Sequence, residues 1–572
     1  IILALVLRII LAFNIDPIAD EMNVAVRSIG VHKSGTMNSV DESHSYYFLT
    51  EIFYKLTGYI NLITARFPSI FFGLLSILMI YLIVRKLYKS EKIAIVAAFL
   101  VAISVFQIKY SLAEMDITMA FFVLLSSYTF LSAIYDKKEY MYYLSALFLG
   151  LAIAIKTFAG IWVLTYFFFG VYYSFKNKEY KEKYFGKKGL KVLILCSLII
   201  FLLTTPILIA NYLLYKDKGI VDLQFARFLG INKEYYKGLS GIDSPFSLSQ
   251  LSTGLNAGFK TFWLFDPIIS ILAILGLFVS WKRDKDATLF LFLWFIFVFL
   301  FISGTAWLET HFVFNILIFA VFSSVFLVET DNYLRKKDFK TFLALGLIAI
   351  LIFNLWLLFP NLTSQTAISK MRNYAIDNFD KNSLVIVDSR VFRGRMAFMF
   401  NDKSYLEASY LGTFINDFGL KAETQNKAKI RTYFIECVKD DCGWGTIKNQ
   451  PELNESMEKT VNAFKGISSQ NPIVIYGGGG KNEIKGEPYF RVYETALDLD
   501  PRILSAVYQT HSHYLYPVGW NGEVYDRYEV YSFKDQLLNN FGFFIFYLTI
   551  FLEVISILAV VWFFKREFKK EN

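Results

Sequence analysis

The sequence predicts an α-helical polytopic membrane protein of about twelve transmembrane helices, with a C-terminal extracytoplasmic α/β domain. Three observations predict it. Of the 572 residues, 55% are hydrophobic and only 19% are charged, with a mean hydropathy of +0.43. A soluble domain carries about 25% charged residues, so a soluble enzyme and a disordered chain are both excluded. Apolar runs of helix-spanning length recur along the chain, and lysine and arginine concentrate in alternate short loops.

The runs fall near residues 1–13, 68–87, 92–110, 115–135, 141–157, 159–175, 190–212, 264–281, 287–303, 311–329, 340–359 and 541–564. The first is too short to cross about 30 Å of hydrocarbon and reads as a transmembrane helix that has lost its start. The pair 141–157 and 159–175 is so tightly joined that it also reads as one broken helix. The basic segments Arg85–Lys92, Lys176–Lys191, Lys282–Asp286, Arg335–Lys340 and Lys565–Lys570 then all fall on one side, the cytoplasmic one, with the weak loop Asp136–Glu139. The opposite loops, such as Ser303–Thr310, are almost free of lysine and arginine. The net charge of +9 is thereby accounted for, and nucleic acid is excluded as a partner.

This arrangement divides the chain into three parts. Residues 1–360 form a transmembrane domain of eleven helices with outer loops at 14–67 and 212–263. Residues 361–540 form an outer α/β domain, whose strand-like runs include Leu384–Val387 and Ile473–Tyr476. Residues 541–572 form the final helix and a basic cytoplasmic tail. Cys196 lies in an apolar run; Cys437 and Cys442 are close enough for one small disulfide in an oxidising compartment. Asn361-Leu-Thr and Asn454-Glu-Ser are glycosylation triplets of a kind that arises often by chance.

Residues able to do chemistry gather at the outer ends of the spans, whose interiors carry few charges. Asp20-Glu21 follows the first run; adjacent carboxylates there serve as a general base, bind a cation, or simply favour a helix N-terminus. Glu114-Met-Asp116 opens the fourth run, where Asp116 is placed to cap the helix. The five histidines are His32, His44, His311, His511 and His513, with His44 in the first outer loop and His311 opening a late span. His511-Ser-His513 reads as an ordinary surface strand, and the Gly477–Gly480 run as a flexible turn without phosphate-loop spacing. Arg66, Lys109, Lys156 and Arg227 are cations near the outer boundary. Lys156 either snorkels or clamps a departing phosphate.

Taken in order, the acidic pair, His44-Ser-Tyr-Tyr-Phe-Leu-Thr-Glu through Gly58, and Ala65-Arg-Phe-Pro-Ser-Ile-Phe-Phe-Gly73 resemble the GT-C-fold membrane glycosyltransferases. The resemblance is to their protein O-mannosyltransferase and ArnT-like (aminoarabinose transferase) superfamily. Tyr110-Ser-Leu-Ala-Glu-Met-Asp116 resembles the second acidic motif of that superfamily, and Gly150–Gly160 its Gly-Leu-Ala…Thr-Lys-Gly helix. Departures are His44-Ser-Tyr where His-Pro-Pro is usual, and Met before Asp116 where Arg is usual. The Trp-Trp-Asp-Tyr-Gly motif of oligosaccharyltransferases is absent, which argues against that branch.

The resemblance implies transfer of a hexosyl or pentosyl group from a polyprenyl (dolichyl-type) phosphate to an acceptor hydroxyl on a protein, lipid or glycan. It implies that transfer takes place at the outer face of the plasma membrane, with inversion. It implies Asp20 as base, with Glu21 as its alternative or partner, and Glu114 and Asp116 orienting the acceptor or holding a cation. Lys156, Arg227 and His311 would face the phosphate, and His44 and Arg66 would shape the first loop around the site. The cofactor is left open, a divalent metal on Glu114, Asp116 and His311 being the set to check. Rival readings are a transporter or flippase, expected to show broken helices and charges at mid-membrane, and a membrane-anchored scaffold with a binding ectodomain.

Overall fold

The computed structural model describes residues 1–15, 21, 24–25, 28, 31, 36–38, 44–59, 62–112, 114–184, 186–236, 248–305, 309–363, 371, 374–375, 377–388, 404–408, 427–437, 474–477, 488–505 and 528–569. Every apolar run named above falls on helix. In chain order these are α1 (Ile2–Asn14), α2 (His44–Thr57), α3 (Leu62–Tyr88), α4 (Glu91–Ile103), α5 (Val105–Lys109), α6 (Met115–Tyr135), α7 (Tyr140–Ile155), α8 (Trp162–Lys176), α9 (Lys178–Tyr184), α10 (Lys187–Lys218), α11 (Leu223–Leu229), α12 (Leu248–Phe265), α13 (Pro267–Arg283), α14 (Lys285–Gly304), α15 (Val313–Arg335), α16 (Phe342–Thr363) and α17 (Phe533–Lys569). Short 3-10 turns at Thr157–Ile161 and Glu309–Phe312 precede α8 and α15.

Among the described residues, eight helices are long and apolar enough to cross a membrane, or nine if α12 and α13 count as one span bent by 113°. Helices α1 and α7 are apolar but shorter, at 13 and 16 residues. The run 92–110 is not continuous. Ser104 ends α4 and its side chain accepts from Gln107 N, starting α5. The three groups at that start, Ser104 Oγ, Val105 N and Phe106 N, all donate to Asp266 at 2.8 to 3.0 Å. Asp266 itself sits at the α12–α13 bend, so the residue at one chain break closes the other with its buried carboxylate. The run 92–110, expected as one span, is thus two helices. Arg8 and Glu553 are fully buried charged side chains inside apolar helices.

Helix α6 is the centre of the bundle and is buried along its whole apolar length, whereas α16 and α10 turn most of their surface outward. Hydroxyls cross-link the interior, as where Ser145 Oγ of α7 donates to Ser126 O of α6 at 3.0 Å. Close approach needs glycine at α13–α15, where a Cβ on Gly276 would run into the carbonyl of Phe322.

The basic segments meet at one rim. Lys86 and Arg566 both bind Asp136, at 2.9 and 2.6 Å, Lys188 binds Glu139, and Lys92 binds Asp331. Lys176 pairs with Asp286 and Arg283 with Glu329 on the same rim. This is the gathering on a common side that the charge pattern predicts.

Among the described residues, the segment 212–263, expected as an outer loop, is largely helical. Helix α10 runs on to Lys218, and α11 and α12 follow. Asp222 caps α11 by accepting from Phe225 N at 2.8 Å, and is also bound by Asn211 and Asn38 at 2.6 and 2.7 Å. Its burial pushes the carboxyl up to about 6.

The region between α16 and α17 contains a five-stranded mixed sheet ordered β2-β1-β3-β5-β4. The strands are β1 (Leu384–Val387), β2 (Ser404–Glu407), β3 (Ala428–Cys437), β4 (Val474–Gly477) and β5 (Pro488–Leu499). Strand β1 is wholly buried and lies parallel to both neighbours, pairing Ile386 with Leu406 and with Phe434. A continuous apolar strand fits that central place, since both its faces are covered. Strand β5 runs antiparallel to β3 and β4. Cys196 is a free thiol and Asn361-Leu-Thr closes α16; Cys442, the Cys437 side chain, Asn454-Glu-Ser, and His511 and His513 lie outside the described residues.

Candidate functional site

The site grows from the N-terminal ends of α3 and α6. Arg66 lies in the second turn of α3 and is completely buried. Its Nε and Nη2 donate to the two carboxylate oxygens of Glu21, the second at 2.8 Å. Its Nη1 donates to the carbonyls of Ala12 and Ile15. The guanidinium therefore neutralises Glu21 in a bidentate pair and satisfies carbonyls left open at the C-terminal end of α1. A planar five-donor group suits that double task, and lysine does not.

Glu114 stands in extended conformation immediately before α6, and its side chain makes no capping bond. Asp116 lies one residue inside the helix. The expected capping role for Asp116 is thus corrected: its carboxylate turns to Lys156. Lys156 Nζ is 3.1 Å from both carboxylate oxygens and 3.2 Å from His311 Nε2. An ammonium only donates, so the imidazole nitrogen accepts. Asp116 is 1% exposed and the Lys156 side chain 11%. A lysine this enclosed does not snorkel; it is held by its counter-charge.

The backbone explains how Lys156 arrives there. Helix α7 stops at Ile155, and Lys156 is extended at φ −150°, ψ 120° before the 3-10 turn. That break ejects the side chain from the helix and aims it across to α6 and α15. His311 comes from the second 3-10 turn, with Phe158 against its ring at 5.9 Å. Arg227 of α11 lies within electrostatic range of His311.

Two hydroxyls tie α2 and α3 to the backbone before α6. Tyr46 OH bonds Ser69 Oγ at 2.5 Å, and Ser69 Oγ donates to the Glu114 carbonyl at 2.8 Å. Tyr46 is within electrostatic range of both Glu21 and Glu114. Tyr110, the residue that follows α5, donates to Glu309 at 2.6 Å and is in range of Glu114. Lys109 packs over the Phe265 ring at 4.7 Å. His44 opens α2, where its Nδ1 is 3.0 Å from the Thr36 carbonyl, and so ties the start of α2 to Thr36.

The structure thus brings together Glu21, Arg66, Glu114, Asp116, Lys156, His311 and Arg227, while Asp20 lies outside the described residues. The set Glu114, Asp116 and His311 does not converge as metal ligands. Among the described residues no three His, Cys, Asp or Glu groups do, and Lys156 occupies the space that a cation beside Asp116 and His311 would need. Tyr46, Ser69, Tyr110 and Glu309 were not singled out from sequence. With 36 tyrosines in the chain, a tyrosine carries little signal by itself.

Residues 41–209 match the family model described as dolichyl-phosphate-mannose-protein mannosyltransferase. No curated protein matches the sequence. Among solved structures, ArnT from Cupriavidus metallidurans bound to undecaprenyl phosphate superposes with a TM-score of 0.53 at 13% identity, covering 86% of this chain and 96% of that one. Its apo form gives 0.54 at 12% identity over the same shares. The archaeal oligosaccharyltransferase AglB from Archaeoglobus fulgidus gives 0.43 at 11% identity, covering 90% of this chain and 77% of that one. The chain has the GT-C fold, and its likeness within that fold is to the protein O-mannosyltransferase and ArnT-like superfamily.

Proposed function

We propose that this protein is a membrane glycosyltransferase that moves a sugar from a polyprenyl phosphate to an acceptor hydroxyl at the extracytoplasmic face. The observation that carries the reading is the Asp116–Lys156–His311 cluster beside the Arg66–Glu21 pair, at the same ends of α3, α6 and α15. Fixed cations enclosed at a helix-bundle rim are suited to a phosphate whose tail lies among the helices. Two comparisons support it. The matching family model is described by its dolichyl-phosphate-mannose donor, and the ArnT of like fold is solved with undecaprenyl phosphate.

In the proposed reaction the acceptor oxygen attacks the anomeric carbon opposite the phosphate. A carbon–oxygen bond forms there as the bond to the phosphate oxygen breaks, inverting the centre. The bonding pair leaves on the phosphate, and the acceptor proton passes to a carboxylate. Phosphate leaves well, so the demands are a base and a cationic cradle. Lys156 and Arg227 neutralise the leaving phosphate, with His311 holding the ammonium from its far side. Asp116 positions Lys156. Glu21 has both oxygens committed to Arg66, so it serves as partner and Asp20 as base. Glu114 orients the acceptor, and His44 and Arg66 shape the first loop.

The α12–α13 bend is a feature that transporters share. Its carboxylate, however, is used to close the start of α5. Purified full-length protein, a radiolabelled polyprenyl-phosphate sugar and a hydroxyl acceptor test the reading. Label appearing in the acceptor with release of polyprenyl phosphate supports it. Passage of intact donor across vesicles without transfer establishes the transporter instead.

A further inference from the structure

Glu553 lies in the middle of α17, completely buried, and no role has been given to it above. Its Oε1 accepts from Ser45 Oγ, and among the described residues its Oε2 has no hydrogen-bond partner. An ionisable side chain at this depth in an apolar helix is costly to keep, which makes it a functional candidate by default. Its one hydrogen bond points toward the site.

Ser45 is the second residue of α2, and the next residue is Tyr46. Tyr46 OH bonds Ser69, which in turn holds the Glu114 carbonyl. Thr50 Oγ1 donates to the Tyr46 carbonyl at 3.1 Å, stiffening the same turn. The ring of Phe48, on the same helix, packs edge-on against Phe546 and Tyr547 of α17. Helix α2 is therefore clamped to α17 by aromatics at one level and by Glu553 near its start. The clamp's last rigid step before the acidic motif is Tyr46.

We infer that Glu553 is a positioning residue of the site: through Ser45 it fixes the start of α2, and through Tyr46 and Ser69 the backbone at Glu114. This rests on the functional reading above and extends it to the final helix. The position of a reacting group matters steeply, since a misplacement of about 1 Å costs on the order of 100-fold in rate.

The test uses full-length wild type, Glu553→Gln, Glu553→Leu and Ser45→Ala in nanodiscs. Turnover is measured with dolichyl-phosphate-mannose and other polyprenyl-phosphate sugars and expressed per undecaprenyl-phosphate binding site. Gln keeps an acceptor oxygen for Ser45, so Glu553→Gln retains turnover. Glu553→Leu and Ser45→Ala lose at least about tenfold in kcat with the donor KM within about twofold. A role in stability alone lowers the number of binding sites and leaves kcat per site unchanged, which overturns the inference. A Gln variant as impaired as Leu overturns it too. If Glu553→Leu fails to fold, Ser45→Ala decides alone. Amide exchange gives a second readout, independent of turnover: Ser45→Ala and Glu553→Leu raise exchange in the 111–116 peptide. Unchanged exchange there sinks the inference even if wild type transfers no sugar, whereas wild type inert with every donor sinks only the functional reading.

Discussion

Replacing Lys156 by Met separates what its ammonium does for the fold from what it does for the reaction. Met keeps most of the stem and removes the charge. Asp116, 1% exposed, is then left with His311, 3.9 Å away, as its remaining ion-pair partner among the described residues. Removing one member of a buried pair costs about 3–5 kcal/mol, because the other charge stays enclosed. Losing a fixed group that stabilises developing charge costs about 10²–10³ in kcat. The second substitution in a cycle, Asp116→Asn, relieves the stranded carboxylate. The double variant is therefore expected to recover most of the lost stability and none of the turnover. Thermal unfolding in detergent and sugar transfer per folded molecule measure the two effects. A double variant no more stable than Lys156→Met contradicts the pairing. Turnover of Lys156→Met within about threefold of wild type contradicts the phosphate role.

Three further outcomes are expected. Asp20→Asn abolishes transfer while leaving unfolding unchanged, and full activity in that variant removes the base assignment. The carboxyl of Asp222 is pushed up to about 6 from an ordinary 3.8 by burial. Its contribution to stability is thus fully present below about pH 4 and lost as pH rises through about 6, and Asp222→Asn flattens that part of the unfolding profile. Gly276→Ala forces a methyl onto the Phe322 carbonyl, and is expected to cost about 1–3 kcal/mol or part α13 from α15; an unchanged unfolding midpoint refutes the close approach.

How much was legible in the sequence depended on where the information lay. Helix α6 spans Met115–Tyr135, the very bounds of its apolar run, because a continuous hydrophobic stretch is a local signal. The division at Lys156 was visible for the same reason, as a tight junction between two runs. Strand β1 matches its run at Leu384–Val387, and β4 lies within one residue of its own. The break at Ser104 was hidden because its cause is Asp266, on a different helix 162 residues away. The helices within 212–263 were hidden because they are shorter or more polar than a spanning run, so a test tuned to spans passes over them.

The site divides along the same line. Acidic pairs, histidines and isolated cations stand out against an apolar background, so Glu21, Glu114, Asp116, Lys156 and His311 could be named in advance. Their partners could not. Nothing local pairs Lys156 with Asp116 rather than Glu114; the extended backbone at Lys156 decides it. Arg8 and Glu553 were overlooked because one charge barely lowers the mean hydropathy of a span. Arg8 nonetheless fastens α1 to the acidic segment through Ser111 Oγ at 3.1 Å.

The central claim is that the enclosed cations at the acidic rim receive the carrier's phosphate. An experimental structure of the full-length protein with undecaprenyl phosphate tests it most directly. The account predicts phosphate oxygens within hydrogen-bonding distance of Lys156 Nζ and the isoprenoid chain running between helices. A phosphate bound at the rim formed by Lys86, Asp136 and Arg566, with Lys156 still enclosed by Asp116 and His311, would contradict it.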